Sequence, residues 1–296
     1  MFDLAVLIPL AALSLAASLV NGGLGYGYSS LSTPLALLVL VNRVINPVYV
    51  MVEACMNTVM LGLSGRTNIS STFKRVLPVI LALVPGIVLG TMVLTSLSPT
   101  WLKLVVYGSI LPLILLQAAG LRRPIRSEKL AGPPLGLGIG LLYSITTISG
   151  PPIALFWNNQ GLVKGEFKAA IAQVRIAESY LTLVTYYFLG LFTAATFELF
   201  TWVGPPVLLG IPLGMLVVRR VGTETFRRVC MSFDSWVVGY GLAVVMGGLF
   251  GLIDVGYSIW AAVIGIDGWL LYRFFTGRRL LFKPKALELP LPSEGH

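Results

Sequence analysis

Three ionisable side chains stand inside stretches that are otherwise apolar: Glu53, Arg175 and Glu178. A charge at mid-depth in hydrocarbon costs about 2.5–3.5 kcal/mol on insertion scales, so such a residue faces a cavity or a partner. On that reading Arg175 is a ligand for an anion, and Glu53 and Glu178 are coupling groups that take up and release protons. The competing arrangement pairs Arg175 with Glu178 at i,i+3 on one helix face and leaves Glu53 uncharged in an apolar setting.

Hydroxyl groups cluster at two places where an apolar helix is interrupted. The first interruption runs from Asn21 to Pro34 and holds Gly22, Gly23, Gly25, Ser29, Ser30, Ser32 and Thr33. The second runs from Gly140 to Pro152 and holds Thr146, Thr147, Ser149 and Gly150. Non-helical backbone at membrane depth survives only where it lines a cavity or is buried in protein. A helix restarting there turns unpaired N–H groups and its positive dipole end toward that cavity. Such a helix start, with hydroxyls around it, suits a tetrahedral or pyramidal oxyanion. The plainer reading is that the glycines permit close helix packing and the hydroxyls bond back to carbonyls.

Other chemistries lack their residues. The only histidine is His296, so a histidine proton relay within a span and a Cys–His nucleophile pair are both excluded. HExxH, GxSxG and the phosphate-binding GxxxxGK[ST] pattern are absent, which points to no enzyme, no cofactor, no metal and no ATP coupling. Cys55 and Cys230 are far apart and read as small buried residues. The net charge of +9 is carried in loops between apolar spans, where it sets topology, so no nucleic-acid partner is expected.

The elements that must position these groups are membrane helices. Hydrophobic residues make up 56% of the 296 and charged residues 11%, with a mean hydropathy of +0.87, so the lipid bilayer is the expected surroundings. Apolar segments fall near 3–20, 29–41, 46–64, 76–96, 101–120, 134–148, 152–160, 167–190, 200–218, 229–250 and 256–274. The stretches at 29–41, 134–148 and 152–160 are too short to cross alone, since a full span needs about 20 residues. The N-terminus lacks a basic leader region and reads as a retained membrane segment.

Charge orders these segments. If each interrupted helix is a hairpin that enters and leaves on one side, 18 of the 21 basic residues gather on the cytoplasmic face, with Arg43 and Lys103 outside. The positive-inside rule favours that arrangement. The two halves then have opposite orientation. The predicted fold is an all-α polytopic membrane protein of two inverted repeats, each a V-shaped broken-helix hairpin plus three transmembrane helices, with one extra C-terminal helix. The predicted divisions are 1–120, a basic loop at 121–133, 134–252, a ninth span at 253–276 and a tail at 277–296, with the N-terminus outside and the C-terminus cytoplasmic. Gly22 and Pro34 recur 118 residues later as Gly140 and Pro152, and Glu53 recurs 125 residues later as Glu178. Gly86, Gly90 and Lys103 fall 124 residues before Gly210, Gly214 and Arg227. Asp234 is expected near a solvated helix end, and Asp267-Gly268 at an oligomer contact, a homodimer in the simplest case.

The glycine-rich break followed by Pro34-Leu-Ala-Leu, and its second copy Ser149-Gly-Pro-Pro-Ile-Ala-Leu155, resemble the TauE/SafE sulfite exporter family over roughly residues 5–250. The resemblance implies a secondary transporter of the inner membrane. Its partner would be a small anionic substrate: sulfite or a sulfonate such as taurine or sulfoacetate, moved by alternating access. It carries Gly22, Gly23, Gly25 and the Ser149–Pro152 tip over as substrate-site elements. The second tip departs from the pattern, with Ser-Ile-Thr-Thr-Ile-Ser in place of much of the usual glycine. A carboxylate or inorganic oxyanion on the same architecture is the alternative, with an intramembrane enzyme or a non-transporting membrane subunit behind it. Glu53, Arg175 and Glu178 rest on the charge argument alone.

Overall fold

The computed structural model describes residues 2–63, 66–119, 127–158, 160, 162 and 164–276. Among them the chain is helical throughout: α1 (Leu4–Leu24), α2 (Tyr28–Ala36), α3 (Asn42–Leu63), α4 (Arg66–Ser96), α5 (Pro99–Ala118), α6 (Glu128–Thr146), α7 (Gly150–Asn158), α8 (Lys164–Phe188), α9 (Ala194–Val203), α10 (Pro205–Val221), α11 (Thr223–Phe250) and α12 (Ile253–Phe275). A lipid-facing segment must satisfy its own backbone, which a helix does. Seven of these helical stretches are long and apolar enough to cross a membrane, with α9 and α10 counted as one. Large aliphatic and aromatic side chains such as Leu81, Leu208, Leu209 and Phe188 lie exposed on the outer surface, as lipid contact requires.

Several boundaries differ from the sequence expectation. The segment expected at 200–218 is two helices, because Gly204 is followed by Pro205 and Pro206, which lack the N–H a continuous helix would use. Helix α4 starts at Arg66 rather than near 76, and α6 starts at Glu128, inside the expected loop of 121–133. Arg75 of α4 pairs with Glu128, its Nε donating to Oε2 at 2.8 Å, and this contact ties the early start of α6 to α4. Arg122, Arg123 and Arg126 of that loop, and the tail from 277 with its four basic residues and His296, lie outside the described residues.

Both expected breaks are present. Helix α1 ends at Gly25 with φ 84°, and Gly27, with φ 108°, precedes α2. These left-handed values favour glycine because a Cβ would crowd the backbone. Helix α6 ends in the same conformation at Thr147, φ 60°, an outlier for a β-branched residue. The ends of the broken helices recur at an interval of 122 residues: Gly25 and Thr147, Tyr28 and Gly150, Ala36 and Asn158.

The packing exchanges partners in the same way. Helix α6 lies along α4, and α1 lies along α10. Gly86 and Gly90 of α4 abut the Leu137 and Leu141 carbonyls of α6, while Gly210 and Gly214 of α10 abut those of Leu15 and Leu19 in α1. Small residues at a membrane-helix interface let the backbones approach this closely. Helices α3 and α8 pack together at the centre, and α5 and α12 both pack on α11.

Candidate functional site

Glu53 of α3 is fully buried and gathers three donors from three other elements. Ser29 Oγ of α2 donates to Oε1 at 2.5 Å, Arg175 Nη2 of α8 donates to Oε1 at 2.7 Å, and the Tyr143 hydroxyl of α6 donates to Oε2 at 2.8 Å. Arg175 therefore pairs with Glu53 across helices, not with Glu178 along its own helix. Charge-assisted bonds of this length are the strong class. The second glutamate, Glu178, accepts from Ser149 Oγ, the residue that opens α7. The two breaks also touch directly: the hydroxyls of Thr33 and Thr147 share a hydrogen bond of 2.9 Å.

The structure thus brings together Ser29, Thr147, Ser149, Glu53, Arg175 and Glu178. Gly150 belongs with them, since a Cβ there would meet Arg175 Nη1 at 3.3 Å and the Tyr26 ring at 2.9 Å. The other predicted residues have local tasks. Ser32 Oγ bonds back to the Tyr28 carbonyl at 2.7 Å, and Thr146 Oγ1 donates to the Leu142 carbonyl at 2.7 Å and accepts the Ile148 N–H at 2.9 Å. Ser30 is buried near the start of α2. Gly22 and Gly23 press against Ile211 and Gly214 of α10, so their small size serves packing.

The two helix starts differ in what they offer. In α2 the N–H groups of Tyr28, Ser29 and Ser30 precede the first bond of the helix, from Leu31 to the Gly27 carbonyl. In α7 two of the three equivalent positions are Pro151 and Pro152, which have no N–H, so only that of Gly150 remains. The first tip supplies backbone donors; the second supplies chiefly the Ser149 hydroxyl and the helix dipole.

Neighbouring side chains satisfy the interrupted backbone. Asn46 Nδ2 donates to the Ile145 carbonyl at 2.7 Å, and the Tyr186 hydroxyl donates to the carbonyl of Ser144. At the far end of α2 the Tyr107 hydroxyl caps Pro34 O at 2.9 Å and Lys103 caps Leu37 O. Sequence reading passed over Tyr143, Asn46 and Tyr186. Their signal was available as polar side chains in apolar spans, but neutral groups stand out less there than charges do.

A cavity of about 230 Å³ lies between the end of α1, at Gly22 and Gly25, and Lys168, Ile171 and Ala172 of α8. From Ile171 the same face of α8 continues to Arg175 and Glu178, at i+4 and i+7. Arg175 and Glu178 thus lie about one and two turns beyond the cavity lining on that face of α8.

Three expectations away from the centre are corrected. Arg228 is not a loop cation: it is buried, and its Nη2 donates to Asp267 Oδ1 at 2.8 Å, so this pair binds α12 to α11. Asp234 is buried rather than solvated. Cys55 is exposed and Cys230 half-buried. No group of three or more His, Cys, Asp or Glu that could hold a metal occurs among the described residues.

The model of the family described as Sulfite exporter TauE/SafE matches residues 10–241, which takes in both breaks and every residue of the central cluster. No curated protein and no solved structure matches the chain.

Proposed function

The chain belongs to the TauE/SafE sulfite exporter family, and on that premise we propose that it is a secondary transporter of a small sulfur-containing oxyanion, sulfite or an organosulfonate such as taurine or sulfoacetate. The observation that carries this reading is a buried arginine at the meeting point of two helix breaks, where it pairs with Glu53 and lies against Gly150. Arg175 supplies the positive charge. The α2 start supplies N–H donors and Ser30 a hydroxyl, while Ser29 and Ser149 hold the two glutamates in place. Glu53 holds Arg175 as its counter-charge, which leaves Glu178 as the acidic group for proton coupling.

The exchange of packing partners supports transport by alternating access. In this reading the halves are inverted repeats of the cytoplasmic (inner) membrane, with the N-terminus outside and the tail inside. The equal interval between the broken helices and the reciprocal α1–α10 and α6–α4 contacts support it. Rocking of one half on the other would open the same centre to either face.

The test is transport in proteoliposomes. The wild-type chain is expected to take up labelled sulfite or taurine. Replacing Arg175 with alanine should remove binding, and Ser30→Ala should weaken it. Undiminished affinity in both variants overturns the site, and an anion panel separates sulfonates from carboxylates and inorganic oxyanions.

A further inference from the structure

The two halves of the centre are not equally satisfied. Tyr143 and Asn21 hold corresponding places: the Thr147 N–H bonds to the Tyr143 carbonyl in α6, as the Gly25 N–H bonds to the Asn21 carbonyl in α1. From its place Tyr143 reaches the carboxylate of α3, Glu53, whose two oxygens are both taken. The carboxylate that α8 brings to the centre is Glu178, 125 residues after Glu53. It holds one bond, from Ser149, while its Oε2 is buried without a partner. Asn21 is itself fully buried, and neither its Nδ2 nor its Oδ1 has a partner.

Buried polar atoms that lack partners cost stability, and native proteins rarely keep them without a reason. Here the amide, the carboxylate oxygen and also Arg175 Nε are each buried and unpaired, and the Tyr26 ring, next to the Gly25 that bonds to the Asn21 carbonyl, lies beside Gly150 together with Arg175 Nη1. The α10-facing side of α1 is taken by Leu15, Leu19, Gly22 and Gly23, which leaves Asn21 on the inward side.

We infer that Asn21 is a further ligand-selecting residue, and that Asn21 and Glu178 form the open half of the anion site while Glu53 serves as the fixed counter-ion of Arg175. The inference rests on the reading of this centre as an anion site. The Asn21 amide donates to one oxygen of the ligand, and Arg175 Nε is available to another. A carboxylate beside an anion needs a proton, so Glu178 carries one on Oε2 and donates it in a hydrogen bond to the ligand. The charged and titratable groups around it are Arg175 on its own helix, Glu53 from α3, Tyr143 from α6 and Tyr186 one face-repeat along α8. The ligand class is thus an oxyanion carried together with one proton, which leaves Glu178 when the anion leaves.

Calorimetric titration of the full chain in detergent with sulfite and with taurine, alongside thermal melting, decides this. Asn21→Leu keeps the volume and removes the unpaired amide. Its melting temperature should equal or exceed that of the wild type while affinity falls tenfold or more. Asn21→Tyr, which places on α1 the side chain that α6 already carries, should abolish binding. If Asn21→Leu does not fold, Asn21→Ala serves with the same expected loss. Wild-type affinity in the folded variant overturns the role of Asn21 and leaves the transport reading standing. A loss of binding together with a lowered melting temperature in both small variants also overturns it, since the amide would then be holding the fold. Absence of binding by the wild type to either anion overturns both readings.

Discussion

A buried guanidinium needs a counter-charge more than it needs any other neighbour, and in this chain Glu53 supplies it. Removing one partner of a buried pair leaves an uncompensated charge, which typically costs about 3–5 kcal/mol, whereas removing both together is often close to neutral. Glu53→Gln should therefore lower thermal stability by about that amount. Adding Arg175→Met to it should restore most of the loss while transport stays abolished. Melting curves of the two single variants and the double variant check this; equal destabilisation in the double variant would mean that the pair contributes through packing alone. The identity of this pair was not legible in the sequence. Arg175 and Glu178 share a helix face at i,i+3, but pairing with Glu53 joins residues 122 positions apart and depends on how α3 and α8 pack.

At the scale of elements, most of what matters was legible. Two breaks, each followed by a short arm, were marked by Gly, Ser, Thr and Pro, and α2 and α7 are those arms at nine residues each. The interval was less legible. Identical Gly and Pro residues suggested 118, but the helix ends recur at 122, because the turns are fixed by the left-handed residues Gly25 and Thr147, one of which is not glycine. The asymmetry of the tips could also have been read, since Pro151-Pro152 announces the missing N–H groups. Contacts between elements give a sharp test of packing. A methyl group at Gly214 would overlap the Leu19 carbonyl, whereas nothing lies within 4 Å of one at Gly138. Gly214→Ala should destabilise by about 1–3 kcal/mol through overpacking. Gly138→Ala should be neutral or gain up to about 1 kcal/mol from helix propensity. Comparable melting temperatures for the two variants would mean that α1 and α10 are not held this closely.

For the whole molecule, the cavity and the charge distribution bear on the same question of sidedness. Lys168, Ile171 and Ala172 lie within the first three turns of α8, close to an end that the positive-inside rule puts at the cytoplasmic face. Under the proposed topology this cavity opens toward the cytoplasm. Chemical labelling can follow both features once Cys55 and Cys230 are replaced by alanine. Cysteine introduced at the exposed positions Ser98 and Arg220 should label from opposite faces, the first from outside; labelling of both from one face would sink the inverted repeat. Cysteine at Ala172 should label from the cytoplasmic side, and saturating sulfite or taurine should slow that reaction. The protection follows from conformational selection, because a ligand with different affinity for two states shifts the population between them. A rate unchanged by ligand at Ala172, in protein shown to bind it, would detach this cavity from the transport path and leave the buried ion pair to be reached by another route.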